Sequence, residues 1–249
     1  MGAEFEINVA DRRPVSSGVI WQERPLNTMA SKTKSEVVRG IDQIQSSVVP
    51  LLKETGFRKR GRSFNRPADD GLVHVVTFQA GDYPVGDNYE IPGLRESLYG
   101  QFTVNLGVFI PEVFTLENDQ PPPKFLQEYH CEIRKRLVEL ANGSDVWWSA
   151  TTATEETAAE FPRLFQEYAL PFFARFTSHQ MVLDEWKSHG ELPLLTPGRS
   201  SLAAAAILMS QGNAADATAA LQNAIAVSPD HKGFQEYVHE VAAKLSPEP

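Results

Sequence analysis

Residues 101–110 read QFTVNLGVFI, an alternation that commits the chain to a sheet with one buried and one partly polar side. Successive side chains of an extended strand point to opposite faces, so Phe102, Val104, Leu106, Val108 and Ile110 share one face while Thr103, Asn105 and Gly107 share the other. A helix would scatter both sets around its axis. The stretch LVHVVTFQ, residues 72–79, has the same β-branched and aromatic character. Pro67-Ala68-Asp69-Asp70-Gly71 supplies turn chemistry before it, so residues 57–65 and 72–79 read as a hairpin. VWWS, residues 146–149, reads as a further short strand.

Between these runs the period changes to that of a helix. Val37, Val38, Ile41, Ile44, Val48, Leu51 and Leu52 recur at helical spacing behind Ser35, a suitable N-cap, with Pro50 expected to kink or end the ladder. Residues 124–141 carry Phe125, Tyr129, Ile133, Leu137 and Leu140 in one stripe and read as a helix. Helices are also expected at about 155–176, with Pro171 as a kink, and at about 178–189. After the linker GELPLLTPG the composition turns alanine-rich, with helices expected at about 200–211, 213–227 and 232–245. Residues 81–100, rich in Gly, Pro and Asp, read as a long loop. The expected architecture is α+β: a mainly antiparallel sheet of about four strands with packed helices and a small C-terminal helical appendage. Its parts are a peripheral extension at 1–30, an α+β domain at 31–190 and a helical hairpin with a capping helix at 199–247. Met29 opens MASKTKSEVV, which reads like a natural start, so the preceding segment is expected to lie outside the core.

Charge is unevenly placed. The chain carries −9 overall, yet residues 31–66 hold nine bases against three acids, and GFRKRGRSFNR (56–66) alone holds five cations. Residues 67–249 hold eleven bases against twenty-five acids. On a strand over 57–65, Arg58, Arg60 and Arg62 point the same way. Thr77 with Gln79 and Thr103 with Asn105 extend that polar side across neighbouring strands, with Trp147 or Trp148 nearby. Guanidinium groups are permanently charged forks suited to carboxylate or phosphate, so this face is the candidate site for an anionic partner. The competing reading has the helices at 124–141 and 155–176 cover the face and neutralise it with acids such as Glu132, Glu156 or Glu160.

Other chemistry is poorly represented. The six histidines show no paired metal-ligand spacing, and neither a P-loop, GxGxxG nor GxSxG motif is present, so no cofactor is expected. His74, inside a strand, reads as a packed or edge residue. Cys131 is the lone cysteine; Arg134 and Arg136 near it would lower a thiol pKa, but a single helical cysteine reads as packing. One cysteine excludes an intrachain disulfide and suits a reducing cytoplasm, and no apolar run reaches the roughly 18 residues of a membrane span.

Two resemblances follow from quoted motifs. PLLKETGFRKRGRSFNR, GLVHVVTFQAG, YGQFTVNLGVFIPEV and CEIRKRL with a following VWW resemble, in order and spacing, an uncharacterised bacterial domain-of-unknown-function family (DUF 4304-like). That resemblance implies the fold and no particular activity. By analogy with similar small α+β domains, it allows an immunity-type or regulatory role in bacterial toxin systems. QGNAADATAALQNAIAVSPDH places Gly212, Ala217, Ala224 and Pro229 five, seven and five residues apart, and so resembles a single tetratricopeptide repeat. That likeness implies contact with a protein partner or self-association through the C-terminal helices. The expected function is therefore a non-catalytic cytoplasmic interaction module. The alternative is a nucleic-acid-binding protein using the basic hairpin. An enzyme would need a concave pocket with a convergent carboxylate or histidine around Arg60, Gln79, Asn105 and the two tryptophans.

Overall fold

The computed structural model describes residues 34–81, 98–118, 120–152 and 154–245. The expectations for residues 1–30 and for most of the 81–100 loop lie outside them.

Ser35 caps α1 (Glu36–Glu54), its side chain accepting from the Val38 N–H. The helix runs through Pro50 and is not ended by it: the following turn still buries Leu52 against the core, which outweighs the lost donor. The chain then forms β1 (Arg58–Arg60), β2 (Ser63–Pro67), β3 (Val73–Ala80) and β4 (Gln101–Phe109). Ile110 leads into α2 (Pro111–Glu117), a short helix not foreseen, with Pro111 at the N-terminal position where its missing N–H costs nothing. Next come β5 (Ile133–Arg136), α3 (Leu137–Asn142), β6 (Trp148–Ser149), α4 (Thr154–Leu164), a π turn (Phe165–Ala169) and α5 (Leu170–Ala174). The π turn directly precedes Pro171, which cannot donate to an unbroken α ladder. Helices α6 (His179–His189), α7 (Pro197–Ser210), α8 (Ala214–Ala226) and α9 (Lys232–Leu245) complete the described chain.

The fold is α+β. The sheet is antiparallel in every pairing, ordered β1-β2-β3-β4-β5, with β6 also on β4. It has six strands where about four were expected, for two local reasons. Residues 57–65 are not one strand but a tight hairpin in themselves: Arg60 pairs with Ser63, and Gly61-Arg62 is the turn. Gly61 takes φ +61°, the positive value that a Gly-X hairpin turn requires at its first position. The second extra strand is β5, which lies within the stretch expected to be helical at 124–141. There only 137–142 becomes α-helix, and Glu128–His130 forms a single 3-10 turn. Phe125 and Tyr129 belong to a segment crossing the sheet, Tyr129 within that turn.

The alternation in β4 behaves as read. Phe102, Val104, Leu106 and Val108 are fully buried on the side covered by α1 and α4. Phe78 lies at the centre of an aromatic cluster on that side, stacked with Phe165 at 6.3 Å and an 8° interplanar angle and with Phe102 at 6.4 Å. Each such ring contributes a few kcal/mol by burial, and rings in offset contact add roughly 0.5–1.5 kcal/mol. The same apolar cluster continues into the alanine-rich helices: Leu202 through Leu208 of α7 and Ala217, Ala220 and Ala224 of α8 are all buried. Small residues let α7 and α8 approach closely enough for Asn223 Nδ2 to donate to Ser201 Oγ at 2.8 Å. Among the described residues no helix is long and apolar enough to cross a membrane.

Candidate functional site

The second face of the sheet is built in rows across the strands. By register, Arg60, Ser63, Thr77, Asn105 and Arg136 form one row over β1 to β5. Beside it run Asn65, Val75, Gly107 and Arg134. The second row is roofed by the protein's own residues 126–131. Leu126 docks on Asn65 through two hydrogen bonds, its N–H donating to Oδ1 (2.7 Å) and its carbonyl accepting from Nδ2 (2.9 Å). Five residues on, Cys131 sits over Gly107, where an added Cβ would lie 2.7 Å from its Sγ. Val75, Phe109, Leu126 and Cys131 form a small second core beneath this roof.

The first row is only partly covered, Ser63 lying buried beneath Gln127, and a cleft of about 870 Å³ lies over the rest of it. Arg60, Arg62, Ser63, Thr77, Gln79 and Asn105 line the sheet side; residues of the 123–130 segment form the opposite wall. A smaller cavity of about 340 Å³ shares Gln79, Asn105 and Glu128 with it and extends to Arg134 and Arg136.

The polar groups fall into two kinds. Some are spent within the fold: Ser63 Oγ donates to Gln127 Oε1 (2.6 Å) and lies 3.1 Å from Thr77 Oγ1, while Asn105 Nδ2 donates to Gln79 Oε1 (2.7 Å). Others remain available. Arg58, Arg60 and Arg62 have no carboxylate partner among the described residues. The Gln79 Nε2 group keeps its donors, because only its oxygen is engaged. His130 Nδ1 accepts the Gln127 N–H at 2.9 Å, so the hydrogen of the neutral ring resides on Nε2. The free capacity of the cleft is thus weighted toward donors.

Glu128 is the carboxylate of the lining. Burial holds its pKa above the ordinary carboxylate value, offset by Arg134, whose guanidinium lies 3.5 Å away. The cleft has the concavity and the acid and histidine that chemistry would require. Glu128, however, is committed to Arg134 and His130 Nδ1 to a backbone amide, and no hydrogen bond joins the two. Among the described residues no three His, Cys, Asp or Glu side chains converge as a metal site would need. Cys131 is buried, and burial pushes its thiol pKa up, with Glu132 and Glu128 adding to the effect.

Of the seven residues singled out from sequence, Arg60, Arg62, Gln79 and Asn105 meet in the cleft. Arg58 is exposed on β1, on the same side of the sheet but outside the lining. Arg62 belongs to the turn and not to a strand, so it does not share the strand alternation of its neighbours. Trp147 carries the Arg136 guanidinium over its ring at 5.4 Å, at the far end of the first row. Trp148 lies on the opposite, core side, with its ring 5.8 Å from Phe102 and edge-on to Phe161 at 5.0 Å. Adjacent residues of an extended chain point apart, so the two tryptophans cannot serve one face. The proposed internal counter-ions also act elsewhere: Glu160 pairs with Arg163, and Glu132 accepts the Ile110 N–H at 2.6 Å.

Sequence reading missed the crossing segment and with it Gln127, Glu128, Tyr129 and His130. Its helical stripe concealed it. The available signal was the triple proline at 121–123 directly ahead, which disfavours a helical start for the residues preceding each proline.

A family model described as "Domain of unknown function (DUF4304)" matches residues 48–175, just over half of the chain. The chain belongs to this family. The DUF4304 span contains β1 to β6 and every residue of the cleft, and it ends at Arg175 beside α5, before α6 to α9. No curated protein and no solved structure matches the chain.

Proposed function

We propose that this protein is a non-catalytic interaction module whose cleft takes an anionic group from a protein partner. The observation carrying this reading is the pair Arg60 and Arg62, which line the cleft without carboxylate partners among the described residues. A guanidinium gains most from a carboxylate where water is partly excluded, and the walls of a concave site provide that setting. The lone buried thiol suits a cytoplasmic protein, and analogy with similar small α+β domains of bacterial toxin systems suits an immunity-type or regulatory role. The tetratricopeptide-like spacing around Ala217 and Ala224 would then serve packing, since both alanines are wholly buried.

A second reading, single-stranded nucleic acid, draws on Tyr129, which is 71% exposed at the cleft wall with its ring 4.3 Å from that of His130. Such a platform could stack a base. The net charge of −14 over residues 67–249 opposes a long polyanion.

The test is a titration of labelled acidic, neutral and basic peptides, and of a single-stranded oligonucleotide, into the wild type and the Arg60→Ala/Arg62→Ala variant. The proposal expects binding of the acidic peptide alone, lost in the variant without change in melting temperature. Indifference of acidic-peptide binding to the double substitution would remove it.

A further inference from the structure

The roofed row shows how a polypeptide crosses this face. Residues 126–131 pass from β2 to β4 transverse to the strands, their backbone gripped by the Asn65 carboxamide and their side chains filling the space over Gly107. The partly open row next to it also offers a carboxamide, that of Asn105, bonded to Gln79 of the following rank. Asn105 and Gln79, joined by a 2.7 Å hydrogen bond, present one free carboxamide oxygen and one free amide nitrogen where the two cavities meet. Arg60 stands at one end of the row and Arg136 at the other. Four inter-strand spacings of roughly 4.8 Å separate their α-carbons by roughly 19 Å, the reach of about six extended residues. Arg136 already holds a carboxylate, that of Asp145.

Resting on the anionic-group reading above, we infer that the occupant is an extended acidic peptide lying across the strands alongside residues 126–131. The Gln79–Asn105 amide pair holds its backbone, as Asn65 holds that of Leu126, and Arg60 with Arg62 binds an acidic side chain at one end. The free oxygen of Asn105 accepts a backbone N–H, and the free amide of Gln79 donates to a backbone carbonyl. A lone carboxylate or phosphate would use the arginines and leave the amide pair idle. Specificity for a chain, as opposed to an anion, therefore resides in Gln79 and Asn105.

Gln79 is exposed, so Gln79→Ala leaves the core intact and is the discriminating variant. Fluorescence anisotropy with an acidic decapeptide, an acidic tripeptide and succinate or inorganic phosphate as competitors measures both levels. The expected result is that Gln79→Ala weakens the decapeptide roughly fivefold, the worth of about one hydrogen bond. Succinate and phosphate are unaffected by that variant, and the tripeptide binds much more weakly than the decapeptide. Decapeptide binding that needs Arg60 and Arg62 but ignores Gln79 and peptide length overturns this inference and leaves the anionic-group proposal standing. Failure of every acidic probe overturns both. Tighter binding of a single-stranded oligonucleotide than of the decapeptide overturns the peptide assignment.

Discussion

Asn65 holds Leu126 at both ends of its peptide unit, accepting its N–H at 2.7 Å and donating to its carbonyl at 2.9 Å. Sixty-one positions separate the two residues in sequence, and both are buried. This clamp fixes the wall of the cleft, since the segment it anchors continues into Gln127, Glu128 and His130.

Replacing Asn65 with Ala strands a buried amide N–H and carbonyl at once. The expected loss is about 2 kcal/mol or more, because unsatisfied buried groups cost their full desolvation. Urea unfolding measures the loss, and native-state hydrogen exchange at the Leu126 amide locates it. Unchanged protection of that amide in Asn65→Ala would show that the clamp does not hold the wall.

Gly107 is required by close approach and not by backbone angle. A Cβ there meets Cys131 Sγ at 2.7 Å and its Cβ at 2.8 Å, so the roofing segment must move. Gly107→Ala should cost about 1–3 kcal/mol, the usual range for overpacking. Combining it with Cys131→Gly, which empties the contested space, should recover part of that loss; strictly additive destabilisation in denaturant titrations would contradict the steric account.

His74 and Glu132 are expected to act on stability with opposite pH signs. His74 is fully buried, its Nε2 2.7 Å from the Phe176 carbonyl and its Nδ1 2.8 Å from an Arg66 guanidinium nitrogen, so the ring is neutral with its hydrogen on Nε2. Its pKa is lowered to about 4, chiefly by burial, with Arg66 adding to the effect and the Phe176 carbonyl opposing it. A depressed histidine stabilises the fold above its ordinary value of 6.5, and that contribution is lost as pH falls toward 4. Glu132 is raised to about 8, chiefly by burial. Its contribution is present below 4.5 and is lost as pH rises through 8. Between pH 7 and 5 each is worth about 2 kcal/mol in opposite directions, so the wild type should show a shallow dependence. Glu132→Gln should leave a protein that weakens on acidification, and His74→Gln one that strengthens. Chemical denaturation across that range checks both, and parallel pH curves for the two variants would refute the assignment.

The two tryptophans should separate cleanly. Trp148 packs on Phe102 and Phe161, so Trp148→Ala should cost about 3 kcal/mol. Trp147 offers one cation–π contact to the half-buried Arg136, worth about 1 kcal/mol. Thermal melts of the two variants suffice, and equal losses would argue against opposite faces.

Local pattern was enough for the strands at 72–79 and 101–110, for Ser35 as a cap and for the alanine-rich helices, because each rests on near-neighbour preferences and one dominant period. It also put Arg60, Gln79 and Asn105 on a common side, since backbone alternation fixes direction as soon as a strand is granted. Alternation cannot tell one strand from a hairpin when the turn is two residues long, so Arg62 moved from strand to turn. Nor could it settle residues 124–141, where a spacing of four suited a helix while the chain gained more by crossing the sheet. There the deciding terms are contacts distant in sequence: Asn65 gripping Leu126 and Gly107 receiving Cys131. The amino-acid order by itself determined which residues are cationic, which alternate and where helices begin. Only the tertiary structure decided that these residues border a cleft, because a concavity is made by two segments brought together and neither records the other's position.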